Sequence, residues 1–243
     1  MLLNLYRDCQ SNVGDKASTP VDYFDLGPVE RKDFWGITSK DLEGRQILLG
    51  GGGLAIFREA LEVLAPHAAN CIVWGIGCNQ AINKPTKPTL PSLLSNCPLV
   101  GVRDWGTPYD WVPCASCMSP LFDQPRQVQH DVGFYGHYDI ALKDAGQPYL
   151  ANNCTFAEAV AFLGSCETIV TNSYHGAYWA TLLGCKVLVW PVNTKLFCFR
   201  HQPRVIQNMR WQQNIQHAVA YPNSLAECRQ ANCSFYAKVL ALV

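Results

Sequence analysis

The chain has no surplus of either charge: lysine plus arginine and aspartate plus glutamate number 19 each. A protein that grips nucleic acid by its phosphates needs a basic excess, so no nucleic-acid partner is expected. No uninterrupted apolar run reaches the roughly 18 residues that a membrane-crossing helix requires. An integral membrane contact is therefore not expected, while peripheral association with a lipid-linked substrate stays open. The opening residues Met1 to Asp8 turn polar too soon for a secretory leader and read instead as a first buried strand. Low-complexity tracts and short-period repeats are also lacking. Charged residues make up only 16% of the chain and hydrophobic ones 49%, which excludes disorder and provides for a sizeable core. Cysteine, by contrast, is plentiful, with 12 in the chain. Residues such as Cys71, Cys166 and Cys185 lie inside apolar segments, as buried reduced thiols do, and the expected location is cytoplasmic.

Short apolar runs alternate with longer amphipathic stretches. The runs at 2–6, 46–49, 71–74, 99–102, 131–135, 149–151, 168–171 and 187–190 predict strands covered on both faces. The stretches at 53–64, 156–163, 177–183 and 225–242 predict helices. Such alternation is the pattern of doubly wound parallel sheets. Pro113, Pro120 and Pro125 interrupt it across 111–129, and a fresh strand-helix series then begins. The chain accordingly divides into two Rossmann-like halves, 1–125 and 126–243. Residues 79–95, with Pro85, Pro88 and Pro91, read as a surface loop, either a lid or a connection.

Open parallel sheets bind ligands beyond the carboxyl ends of their strands. In the first half those ends carry Asn12, Gly14, Asp15, Ser18 and Thr19, then the glycine run Gly50 to Gly53, Gly75 and Gly77, and Arg103. The second half supplies His137, Asn153, the run Asn172-Ser173-Tyr174-His175-Gly176, then Asn193 and Lys195. The glycines suit either a phosphate cradle or a tight strand-to-helix turn. Asn12 and Asp15 suit a helix cap as well as a ligand contact. Arg103 offers a planar fork for a carboxylate or phosphate, or pairs with a neighbouring acid. Cys114 and Cys117 have metal-like spacing, but no second pair accompanies them, which favours packing over a metal or redox centre. His175 is the foremost candidate: it lies between a strand end and a helix start and can move protons near neutrality.

These residues, taken in order, resemble the polysaccharide pyruvyl transferases. The resemblance rests on Asn12-x-Gly14-Asp15, Gly50 to Gly53, Trp74-Gly75-x-Gly77, Val102-Arg103-Asp104, and the stretch from Phe156 through Asn172-Ser173-Tyr174-His175-Gly176 to Gly184. It implies a GT-B-like fold, with two Rossmann-like domains facing a central cleft. The implied activity is transfer of a pyruvyl group from phosphoenolpyruvate to sugar hydroxyls of a polysaccharide or its precursor, forming a ketal. No metal or other cofactor is implied, phosphoenolpyruvate being a co-substrate. His175 is then the general acid/base. Arg103, Ser173, Gly176, Lys195 and His137 face the donor, and Asn12, Gly14, Asp15, Gly51 and Gly52 line the acceptor side. Where the family places an arginine shortly before the histidine, this chain has Ser173-Tyr174, with Arg200 or Arg204 as later sources of charge. Two alternatives use the same architecture: a glycosyltransferase taking a nucleotide-sugar, with Glu158 or Glu167 near the donor, and a catalytically silent sugar- or nucleotide-binding protein.

Overall fold

The computed structural model describes residues 1–9, 11–80, 82, 90–140, 142, 144, 146–208 and 210–243. Much of the surface loop expected at 79–95 (residues 81 and 83–89) lies outside the described residues.

Two parallel sheets form the fold. The first contains β1 (Leu2–Tyr6), β2 (Val29–Asp33), β3 (Gln46–Gly50), β4 (Cys71–Ile76), β5 (Leu99–Val102) and β6 (Asp110–Trp111). The second contains β7 (His130–Gly136), β8 (Tyr149–Ala151), β9 (Cys166–Thr171), β10 (Lys186–Val189) and β11 (Arg204–Val205). The helices are α1 (Val13–Lys16), α2 (Ser39–Leu42), α3 (Arg58–Leu64), α4 (Phe156–Gly164), α5 (Tyr174–Leu182) and α6 (Ser224–Leu240). The chain is thus α/β, and its two sheets are compatible with two Rossmann-like halves. Strand β4 is buried along its whole length, as expected of a central parallel strand with layers on both sides. The apolar pattern did not reveal β2, β6 or β11. β2 reads Val-Glu-Arg-Lys-Asp and forms one edge of its sheet, where solvent meets the side chains and the hydrophobic signal fades.

Strand order places the site. The first sheet runs β2-β1-β3-β4-β5-β6 and the second β11-β10-β9-β7-β8. In each, the chain starts one strand in from an edge, steps out to that edge, and returns to build the other side. Direction reverses between β1 and β3 in the first sheet and between β7 and β9 in the second. At such a switch point the flanking loops diverge and leave a crevice at the strands' carboxyl ends.

The break between sheets falls after Trp111 and before His130. Helix α6 bridges the two halves: its Ser224 hydroxyl donates to the Thr181 carbonyl of α5 at 2.8 Å, and farther along it packs on the first sheet. Its Asn232 Oδ1 accepts the Trp74 indole N–H at 2.9 Å, and its Phe235 ring meets Trp74 at 5.2 Å. Among the described residues, no helix is long and apolar enough to cross a membrane.

Candidate functional site

The two switch points face each other. Asn12 and Asp15 come from the loop and short helix after β1, and Gly53 from the turn after β3. Opposite them stand His137, after β7, and Ser173-Tyr174-His175, after β9. Arg103 follows β5 and Lys195 follows β10, and both line the same cavity of about 110 Å³. Arg103 and His175 therefore share one cleft. A wider hollow of about 640 Å³ opens beside it and shares Ile56 and Asn79. Among the described residues its charged lining, Arg58 and Glu62, is exposed, whereas the smaller cavity is lined by buried charged groups such as Arg103.

Hydrogen bonds tie the walls together. The Val13 amide donates to the Asn152 carbonyl at 3.1 Å, and the Asn152 side-chain amide donates to Asn12 Oδ1 at 3.1 Å. Asn12 in turn donates to Asp15 Oδ2 at 3.0 Å and caps α1 by accepting from the Gly14 amide. On another side, Gln80 and Thr194 exchange two hydrogen bonds of 2.8 and 3.1 Å.

The strand-to-helix junction at α5 carries the histidine. The Ser173 side chain caps the helix by accepting the Gly176 amide at 3.3 Å. All nine residues of α5 are buried. Tyrosine, histidine and glycine are indifferent helix formers, so packing on every side holds this helix rather than propensity. The helix begins at Tyr174, not at the expected Ala177, so His175 sits inside its first turn. The imidazole projects into the other half and lies against Gly14, where a Cβ would come within 1.9 Å of Nδ1. Its Nε2 is 3.6 Å from Cys114 Sγ, and its ring packs on Trp179 at 5.1 Å.

Burial, with Arg103 and Lys195 nearby, holds the His175 pKa well below the ordinary imidazole value, so the ring is neutral at neutral pH. Burial also raises the Asp15 carboxyl, against the pull of Lys195, Arg103 and Arg7. Lys195 is lowered to about 8 by burial and by Arg103, with Asp15 and Asp104 acting the other way. His137 is lowered by burial and by Lys195, and its Nδ1 accepts the Asp139 amide at 3.2 Å, which leaves the ring proton on Nε2. Arg103 is only 2% exposed. Its guanidinium lies 3.9 Å from the Tyr174 ring centroid, and its Nε has no hydrogen-bond partner. Asp104 Oδ1, 3.8 Å from that nitrogen, forms the ion pair with a neighbouring acid that the sequence allowed, at a length beyond hydrogen-bond reach. A buried guanidinium with an unused N–H at a cavity wall has the chemistry to take up a carboxylate or phosphate.

No protein-family model matches this chain, and no curated protein is similar enough in sequence to count as a relative.

Several expected contacts lie behind the lining rather than in it. Gly14 makes room for His175. A Cβ on Gly176 would meet the Tyr135 ring at 2.4 Å, and its amide is already held by Ser173, so Gly176 packs α5 onto β7. Gly51 and Gly52 take φ of 78° and 80° in a tight turn, and a Cβ on Gly51 would strike the Ser18 carbonyl at 2.2 Å. Of the glycine run, Gly53 is the member that lines the cavity. Asn152, not Asn153, is the buried asparagine after β8.

Arg200 lies between Trp105 and Trp111, 4.7 Å from each ring centroid, and pairs with Glu227 at 3.0 Å, while Arg204 sits on edge strand β11. Glu158 closes the capping box of α4, and Glu167 pairs with Lys186 on the surface. Cys117 Sγ accepts from the Asn232 amide at 3.4 Å, and Cys114 Sγ is 3.1 Å from Ser116 Oγ, so the two thiols pack against different partners. Sequence reasoning missed Arg7, Phe57 and Asn79 in the lining. Arg7 immediately follows an apolar strand, as Arg103 does, and that position was a readable signal.

Proposed function

We propose that this chain is a transferase of the polysaccharide pyruvyl transferase kind, working in the cleft between two Rossmann-like halves arranged as in GT-B enzymes. It moves a pyruvyl group from phosphoenolpyruvate to sugar hydroxyls of a polysaccharide or its precursor and forms a ketal. Residues 1–125 form the acceptor side and 126–243 the donor side. The observation that carries this reading is the convergence of Arg103 and Lys195 on His175 in one small cavity. A donor with a carboxylate and a phosphate needs two cationic contacts and a proton-transfer group between them. Tyr174 fits the same reading. Where the family carries an arginine before the histidine, this chain carries a ring on which Arg103 is stacked. A cation from the other half thereby stands at that place.

The steps follow from the residues. His175 is neutral in the free protein, and the negative charge of a bound donor beside it favours its imidazolium form. The imidazolium protonates the donor's methylene carbon, and C2 becomes cation-like. A sugar hydroxyl adds to C2 and passes its proton to a neighbouring base, for which Asp15, its affinity for protons raised, is suited. The C2–O bond to phosphate then breaks, and the phosphate leaves toward Arg103 and Lys195. A second hydroxyl of the sugar closes the ketal and returns its proton to His175, while Asp15 passes the first hydroxyl's proton to the departing phosphate. One hydroxyl proton ends on the methyl group and the other on phosphate, so phosphoenolpyruvate plus a diol gives the ketal and inorganic phosphate. His137 and Ser173 hold donor oxygens, and Asn12 orients Asp15.

The test is a thermal-shift titration with phosphoenolpyruvate, nucleotide-sugars and glycans, paired with inorganic phosphate release. Phosphoenolpyruvate is expected to stabilise the protein. His175→Ala is expected to lower phosphate release by about 10²- to 10⁴-fold, the range for loss of a general acid/base. Stabilisation by a nucleotide-sugar and not by phosphoenolpyruvate would overturn the reading.

A further inference from the structure

The first half presents an aromatic surface beside the cavity that the steps above do not use. Trp35 is 65% exposed, yet its ring is held in place. Phe57 meets it edge-on at 5.5 Å and 85°, and the Arg7 guanidinium lies 5.4 Å from its centroid. The Trp35 amide donates to Asp33 Oδ1 at 2.9 Å, and Asp33 is ion-paired with Arg7. Arg7 and Phe57 both line the cavity that holds His175. The indole is therefore a fixed platform continuous with the reacting site.

This combination has a chemical meaning. A pyranose offers a face of C–H bonds that packs on an indole, while its hydroxyls exchange hydrogen bonds with a guanidinium and a carboxylate. A phosphate would find an aspartate beside the arginine and be repelled. A protein partner would call for a wider apolar patch than one indole flanked by charge. We propose that Trp35, with Arg7 and Asp33, forms a pyranose-binding subsite for the acceptor glycan, one sugar unit or more from the hydroxyls that react. The subsite rests on the reading of the cavity as a sugar-modifying centre, and it adds residues that orient the acceptor without taking part in bond making.

The probes are cellotetraose, mannotetraose and β-1,4-galactotetraose, titrated without donor and followed by tryptophan fluorescence. At least one is expected to shift the emission of the wild-type protein. Trp35→Ala should remove that shift and, by calorimetry, raise the probe's Kd tenfold or more, and Trp35→Phe should recover most of the affinity by the same measurement. Stabilisation by phosphoenolpyruvate should be the same in all three proteins, which separates this subsite from the donor reading. If the donor fails to bind but the Trp35-dependent shift persists, the subsite stands and the donor assignment falls. Equal affinity in wild type and Trp35→Ala, or no shift with any probe, would overturn the subsite. So would a dimer that dissociates on Trp35→Ala, since the indole would then face a second copy of the chain.

Discussion

The two walls of the cleft have the same strand order but are held rigid in different ways. After β9, the chain enters a helix buried on every side, and Tyr174 and His175 are fixed by Phe199, Trp179 and Gly14. After β1, it enters a four-residue helix whose cap Asn12 and helical Asp15 face the cavity, held by polar contacts of Asn12 with Asp15 and with Asn152. One wall is set by volume and the other by hydrogen bonds. On the proposed reading, the ring that moves protons is the one placed in close packing, and the groups that meet the acceptor are those whose polar contacts can be exchanged.

Four experiments test this contrast, from the largest expected effect to the smallest. Arg103 joins the two walls, so Arg103→Met should weaken phosphoenolpyruvate binding by about 3 kcal/mol, roughly a hundredfold in Kd by calorimetry. Arg103→Lys should recover little of this, because an ammonium cannot stack on Tyr174 as a plane; full recovery would show that charge alone matters. Gly176→Ala adds a methyl against Tyr135 and Thr171. It should destabilise the fold by about 2 kcal/mol in urea unfolding, as overpacking does, and a neutral result would mean that the volume-set wall can yield.

The third experiment is a pH series. Lys195, lowered to about 8, loses its proton as pH rises through that value. Phosphoenolpyruvate affinity should therefore fall by about tenfold, or 1.4 kcal/mol, between pH 7 and 9. Lys195→Arg should flatten the profile, and a flat wild-type profile would remove Lys195 from the donor contacts. The smallest effect belongs to the polar wall. Asn12→Ala removes the cap of α1 and a partner of Asp15, at a cost of about 1 kcal/mol by thermal unfolding. A loss as large as that from Gly176→Ala would erase the distinction between the walls.

The central strands were legible in the sequence because burial on both faces writes an unbroken apolar run. β2, β6 and β11 were not, since an edge needs no such run. The strand ends identified Arg103, His137, His175 and Lys195 as facing one cleft because polar residues after apolar strands have few other places to go. What escaped was set by tertiary contact. The role of Tyr174 depends on an arginine seventy-one positions earlier coming to lie on its face. Gly14 and Gly176 read as ligand contacts, but a bare glycine signals close approach without saying of what. Here the approaching groups are the His175 and Tyr135 rings. The choice between Asn152 and Asn153 turns on a single residue of backbone rotation that periodicity over a three-residue strand cannot fix.

Helix α6 also bears on the order in which the molecule is made. Trp74, Phe24 and Leu2 of the first half share a buried cluster with Phe235 and Val239. During synthesis that face of the first sheet emerges early and waits, covered only in part by Phe24, Val112 and Ala115, while more than a hundred further residues are added. The first half therefore cannot finish as an independent unit on the ribosome. Its closing piece arrives after the whole second sheet, and completion of one half and docking of the two become a single late event.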